Sequence, residues 1–194
     1  MKDNYIRSNI LPIILECLFI FGCLLMQAEY HIFINFIFYL LLAIYFCWRK
    51  DCSFKEWLTA IKSGQLFWKQ VILAMLFFGL AFVMTNALEQ AFPNLNTGML
   101  SLKVDNWFKL ILFVSSTIIF PPIVEEIFYR KNLIAFGNKK VLVVTTLLSM
   151  LLYALAHTLS IWGIFLCMIW ALPLSISYIK TKKYLCPNDG AFSM

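Results

Sequence analysis

Two short strings in this 194-residue chain carry side chains able to activate water. The first is Pro121-Pro122-Ile123-Val124-Glu125-Glu126-Ile127-Phe128-Tyr129-Arg130, in which two adjacent carboxylates precede a guanidinium. On a helix Glu126 and Arg130 are i and i+4, so they share a face and can pair, while Glu125 points about 100° away. The two acids can then hold different roles. Glu126 is read as a structural acid tied to Arg130 and Glu125 as a general base free to take a proton from water, or the reverse. Pro122 offers a kink or a first-turn position, so the acids can fall in the opening turn of a helical segment, where free N–H groups favour negative charge. The second string is Tyr153-Ala154-Leu155-Ala156-His157, which sets a phenol and an imidazole on one helix face. A carboxylate and an imidazole converging on one water form a hydrolytic site, with the imidazole holding the water, donating a proton or ligating a metal. Taken alone, each string also has a plain structural reading: an interfacial ion-pair cluster for the first, a hydrogen-bonded bundle histidine for the second.

The elements that must position these groups are membrane helices. Hydrophobic residues make up 62% of the chain and charged residues 13%, with 19 Phe and a mean hydropathy of +0.82. A soluble domain is nearer half apolar and a quarter charged, so soluble enzyme folds are excluded. Nearly uncharged runs at Ile10 to Ala28, His31 to Trp48, Val71 to Leu88 and Leu110 to Tyr129 each approach the roughly 20 residues of a span. From Val141 to Ile179 no acid, Lys or Arg occurs, a length of about 58 Å as helix, nearly twice a hydrocarbon core of about 30 Å. That run must be two helices, broken between His157 and Gly163. The chain is therefore expected to be one all-α integral membrane domain, residues 1–194, with about six transmembrane helices.

Fourteen of the 16 Lys and Arg residues fall on one side of such a thread, and only Lys103 and Lys109 fall on the other. The positive-inside rule then places both termini in the cytoplasm of a multi-pass cell-membrane protein. The first run contains Glu16 and leads almost directly into the next span, so it is read as a helix rather than a cleaved leader. The segment Arg49 to Gln70 is basic, with Phe54, Trp57, Leu58, Ile61 and Leu66 spaced for one face, as in a helix lying on the inner membrane surface. Asn86 to Lys109 reads as a turn-rich outer loop that can rim a cavity. Cys17, Cys23, Cys47, Cys52, Cys167 and Cys186 lack the paired spacings of a metal ribbon and read as apolar fillers. The net charge of +6 forms no basic stripe among aromatics, which argues against nucleic acid as a partner.

Glu-Glu-x-x-x-Arg in one membrane helix, followed about thirty residues later by aromatic-x-x-x-His in the next, resembles the CAAX prenyl endopeptidase and bacteriocin-processing (Abi, CPBP) family of intramembrane proteases. The resemblance covers roughly residues 110–183. It implies that Glu125 activates the attacking water, that His157 assists, and that Glu126 with Arg130 organises the site, with Tyr129 and Tyr153 in support. It implies a peptide or protein substrate, prenylated or a bacteriocin, and a role in peptide maturation or bacteriocin self-immunity. Members have been read both as metalloproteases and as metal-independent glutamate proteases, so a divalent metal such as zinc stays open; one His and two Glu are few for a closed metal shell.

The family's third motif, His-x-x-x-Asn or similar, is expected after Lys180-Thr181-Lys182-Lys183, where this chain instead has Tyr184 to Met194 with Pro187-Asn188-Asp189-Gly190. The chain therefore reads as truncated before that motif, whose groups are thought to stabilise the oxyanion, or as a short member completed by another chain. A catalytically inactive membrane immunity or binding protein of the same family is the alternative function, and a transporter or assembly subunit with merely paired polar residues is a third. Two structural expectations complete the reading. Counted from a turn near Gly137, Glu125 lies about 18 Å up its helix and His157 about 28 Å up the next, an offset of about 10 Å to be absorbed. The fourth, fifth and sixth spans should enclose a polar cavity, with the first two peripheral.

Overall fold

The computed structural model describes residues 2–51, 62 and 64–185. Its regular elements are all helices: α1 (Lys2–Leu25), α2 (His31–Trp48), α3 (Gln65–Ala91), α4 (Trp107–Asn132), α5 (Lys139–Leu155) and α6 (Ile161–Leu185). Most of the amphipathic segment expected over 49–70, including Phe54, Trp57, Leu58 and Ile61, lies outside the described residues, as do residues 186–194.

The chain is a polytopic helical bundle. α2, α4 and the stretches Val71–Ala91 of α3 and Ile161–Thr181 of α6 are each long and apolar enough to cross a membrane. α1 contributes the shorter apolar stretch Asn9–Leu25, and α5 has 17 residues, about 25 Å of helix. The uncharged run from Val141 to Ile179 does break where expected, with α5 ending at Leu155 and α6 starting at Ile161.

Polar contacts at the helix ends sort the bundle into two faces. On one, Asn9 Nδ2 donates to the Asn132 carbonyl at 3.1 Å and Lys131 Nζ to the Asp51 carbonyl at 3.2 Å, which gathers the start of α1, the end of α2 and the end of α4. On the other, the Leu100 N–H donates to the His157 carbonyl at 3.1 Å and the Leu159 N–H to the Gly98 carbonyl at 3.3 Å, joining the α3–α4 loop to the α5–α6 turn. Alternate threading of six helices requires this grouping. Asn106 and Asn138 start α4 and α5 as side-chain caps, accepting from the N–H groups of Lys109 at 2.8 Å and Val141 at 2.9 Å.

α1 packs on α2, both pack on α4, and α6 lies against α5 and α3. The core between α1, α2 and α4 is aromatic: Phe19 stacks on Phe38 with centroids 4.6 Å apart, and Phe46 meets Phe128 at 6.4 Å. The first two helices are therefore not peripheral, contrary to the expectation from sequence. They form the wall against which the glutamate helix is built.

α4 is a composite. Trp107–Phe113 is α-helical, Val114–Ile119 is a π-helical turn, Pro121–Glu125 is α-helical again, and Glu126–Asn132 is a second π-helical stretch. Pro121 and Pro122 cannot donate backbone hydrogen bonds, so the carbonyls facing them lose their partners. The Phe120 N–H reaches back to the Ser115 carbonyl at 2.9 Å, and in this i→i+5 pattern the Ser116 carbonyl would await Pro121. Asn35 of α2 fills the place: its Nδ2 donates to the Ser116 carbonyl at 3.3 Å and to Ser116 Oγ at 3.1 Å, all buried. The helix thus runs through the proline pair without a free start. The expected opening turn with free N–H groups around Glu125 does not form, because the Ile123 and Val124 N–H groups are bonded to the Phe120 carbonyl.

Candidate active site

Glu125 faces inward from α4 with 13% of its side chain exposed. Its Oε1 accepts a 2.5 Å hydrogen bond from the Tyr39 hydroxyl of α2 and lies 3.9 Å from His157 Nε2 at the end of α5. His157 Nδ1 is 2.8 Å from the Tyr153 carbonyl, an atom that can only accept, so Nδ1 carries the proton. In the neutral ring this leaves the lone pair of Nε2 directed at the carboxylate. A separation of 3.9 Å is too long for a direct bond but is a distance that one bridging water can span.

The depth offset expected between Glu125 and His157 is taken up by the α4–α5 connection. After Asn132 the chain runs down beside α5, so the Ala135 N–H meets Thr145 Oγ1 at 3.1 Å, six residues into that helix. Ser149 Oγ donates to the Tyr129 carbonyl and levels the helices a second time. From there Glu125 is four residues up and His157 eight, a difference of about 6 Å. Side chains lean toward the N-terminus of their own helix; α4 and α5 are antiparallel, so Glu125 leans up and His157 down, toward each other.

The His157 end of α5 is fixed by the outer loop. Thr158 Oγ1 donates to the Thr97 carbonyl at 2.5 Å and Ser160 Oγ to the Asn96 carbonyl at 2.8 Å, beside the backbone pairing of 98–100 with 157–159. Two glycines permit the approach. Gly98 has φ +59°, and a Cβ at Gly163 would lie 1.9 Å from the Thr97 oxygen. The turn-rich loop thus does more than rim a cavity: it positions the histidine backbone.

Glu126 and Arg130 approach only to 3.9 Å, and they are unlike in environment: Arg130 is 2% exposed and Glu126 52%. In the π-helical stretch the wider i→i+5 turn takes residues four apart out of register, so the tight pair expected from α-helical spacing is loose. The Arg130 guanidinium instead lies over the ring of Tyr153 at 5.0 Å and that of Tyr129 at 5.9 Å, with Nε and Nη2 lacking hydrogen-bond partners. Tyr153 stacks on His157 at 4.3 Å and meets Tyr129 edge-on at 5.6 Å. The Tyr129 hydroxyl donates to Oε1 of Glu16 in α1 at 3.3 Å, and that glutamate is fully buried with Oε2 unpartnered. The candidate residues Glu125, Tyr129, Arg130, Tyr153 and His157 are thus brought into one cluster, with Glu126 at its margin.

Comparison with protein families finds one description for this region: residues 106–188 match the model of the type II CAAX prenyl endopeptidase Rce1-like proteins. The match makes residues 106–188 similar to that family. The matched stretch begins at the cap of α4 and contains both chemistry-bearing strings. No curated protein and no solved structure matches the chain.

Among the described residues of this matched region the donor set falls short of a catalytic zinc's. Such a site takes three protein ligands plus water, and no group of three His, Cys, Asp or Glu able to hold a metal occurs among the described residues. Glu125 and His157 would supply two.

Sequence reasoning missed Tyr39 and Asn35, and noted Glu16 only in judging the first run as a span. All three lie outside the region matched by the Rce1-like model. For Glu16 a signal existed: a carboxylate in an apolar run is as costly as Glu125 and carries the same presumption of a role. For Tyr39 none did, since a tyrosine in an apolar helix is ordinary.

Proposed function

We propose that the chain is a glutamate-dependent intramembrane endopeptidase of the CAAX type. Glu125 acts as general base, His157 Nε2 helps hold the water, and Tyr39 fixes the carboxylate. The water oxygen attacks the scissile carbonyl carbon as its proton passes to Glu125; the C–N bond then breaks and the same proton goes to the leaving amine. Tyr153 and Arg130 stack the imidazole into place, Tyr129 supports them, and Glu126 at the margin meets solvent or substrate. The observation that carries this reading is the 3.9 Å approach of Glu125 Oε1 to His157 Nε2, with Nδ1 tied to the Tyr153 carbonyl and the Tyr39 hydroxyl donating to the same Oε1. The substrate class is a membrane-delivered peptide, prenylated or a bacteriocin precursor.

The test uses the full chain in proteoliposomes with farnesylated and unmodified peptides in H₂¹⁸O. The expected result is a new carboxylate carrying one ¹⁸O, with the rate lowered by about 10²- to 10⁴-fold in Glu125→Gln and His157→Ala proteins that elute and melt like wild type. Equal cleavage by wild type and Glu125→Gln would refute the assignment. Retention of the full cellular phenotype by both variants would favour the inactive immunity or binding protein instead.

A further inference from the structure

Between α3 and α6, with a lining that includes no residue of the glutamate helix, lies a groove of about 370 Å³. Its walls are apolar, with Leu73, Phe77 and Met84 of α3 opposite Leu172 and Ile176 of α6. It is hollow because Ala74 and Ala81 present only methyl groups to it. One end is different: Lys180 closes the groove, with Ser177 one turn before it on the same helix. A second groove adjoins at Leu73 and continues to the start of α3, lined by Trp68 and Lys69. Among the described residues no acidic side chain lines either groove.

The dimensions and the charges agree on one occupant. From Leu73 to Met84, and equally from Ile169 to Lys180, the lining covers eleven helical steps, about 16 Å, or half of a hydrocarbon core of about 30 Å. The groove is therefore one leaflet deep. α3 starts and α6 ends on the lysine-rich side, so Lys69 and Lys180 stand at the headgroup level of that leaflet, beside an interfacial tryptophan. We propose that the α3–α6 groove binds an anionic phospholipid of the inner leaflet, one acyl chain lying along Leu73 to Met84 and the phosphate held by Lys180, Lys69 and the Ser177 hydroxyl. Basic pockets between helices at the cytoplasmic side have the chemistry for such headgroups. The site is separate from the glutamate–histidine gap and does not depend on the peptidase reading.

Native mass spectrometry of the full chain in detergent tests it, with phosphatidylglycerol and phosphatidylcholine of identical acyl chains. Each lysine near a headgroup contributes about fivefold, so the expected preference for phosphatidylglycerol is about 25-fold. Lys69→Gln with Lys180→Gln should bring the two lipids to parity, and Ala81→Trp, which fills the groove, should lower adducts of both. Circular dichroism and elution volume certify the fold of each variant. Equal binding of the two lipids by wild type overturns the proposal, as does an unchanged preference in the lysine variant. Efficient disulfide dimers of Leu80→Cys protein in membranes would also overturn it, since a second copy would then cover the groove.

Discussion

The contact between the outer loop and the α5–α6 turn gives the most direct test of the architecture, through Gly163→Ala. A Cβ there would lie 1.9 Å from the Thr97 carbonyl oxygen and 2.3 Å from Thr158 Oγ1. Ordinary carbon–oxygen contacts begin near about 3.3 Å, so the loop must retreat by about 1.4 Å. That displacement breaks the bond from buried Thr158 to Thr97. Leaving a buried hydroxyl unsatisfied costs about 1–3 kcal/mol, and overpacking adds about 1–3 kcal/mol. At about 2–4 °C per kcal/mol for a chain of this size, Tm should fall by about 5–20 °C. Gly79→Ala is the control: nothing lies within 4 Å of a Cβ there, in the interior of α3, so the better helix former should raise stability by about 1 kcal/mol. Thermal unfolding of both proteins in one detergent decides the matter. If Gly163→Ala melts at or above wild type, the loop does not lock the turn. If the lock is real, proteolysis by this variant should fall by up to about 10²-fold, because His157 shifts with the turn by about an ångström.

Other expectations follow from the buried polar groups. Tyr129→Phe should destabilise by about 1–3 kcal/mol, since Glu16 loses its hydroxyl partner, and adding Glu16→Leu should recover most of that; strictly additive losses in unfolding midpoints would refute the pairing. Arg130→Lys should lose about 1–2 kcal/mol, because an ammonium cannot stack flat on Tyr153 and Tyr129, and an unchanged Tm would show that only the charge matters. Asn35→Leu leaves the Ser116 carbonyl facing Pro121 without a donor and should cost about 1–3 kcal/mol, with faster amide exchange confined to α4; a stability equal to wild type would refute the role of Asn35 as the proline pair's partner.

Much of the fold was legible because lipid imposes a simple rule: uncharged runs of about 20 residues must be helices. The boundaries of α2, the break around His157 and the two-sided grouping of helix ends follow from that rule. The π-helical stretches of α4 were not legible, and they explain the clearest departure. An i,i+4 pair in an α-helix shares a face, but in Glu126–Asn132 the turn is wider, so Arg130 meets Glu126 only at 3.9 Å and lies over two tyrosine rings as well. Nor was the offset between Glu125 and His157, which assumed that both helices start level with the turn near Gly137. The meeting of Ala135 with Thr145 shows that α5 starts well below the end of α4.

The site itself was only half legible, for a reason that reaches beyond this chain. The sequence motifs mark the groups proposed to act on substrate, and they lie within residues 106–188. The groups that make those residues tolerable in lipid lie elsewhere. A helix with two prolines and two adjacent glutamates leaves a carbonyl, a carboxylate and a phenol in need of partners. Asn35 answers the first, Tyr39 the second and Glu16 the third, all from α1 and α2. Each replaces a hydrogen bond that water would make in a soluble enzyme, so its loss should weaken the bundle even where no reaction takes place. That separates the two classes of residue experimentally. Substitutions at Glu125 and His157 should change turnover in a protein that melts normally, whereas substitutions at Asn35 and Glu16 should change melting first. Tyr39 belongs to both classes, because its one hydroxyl both satisfies and aims the carboxylate.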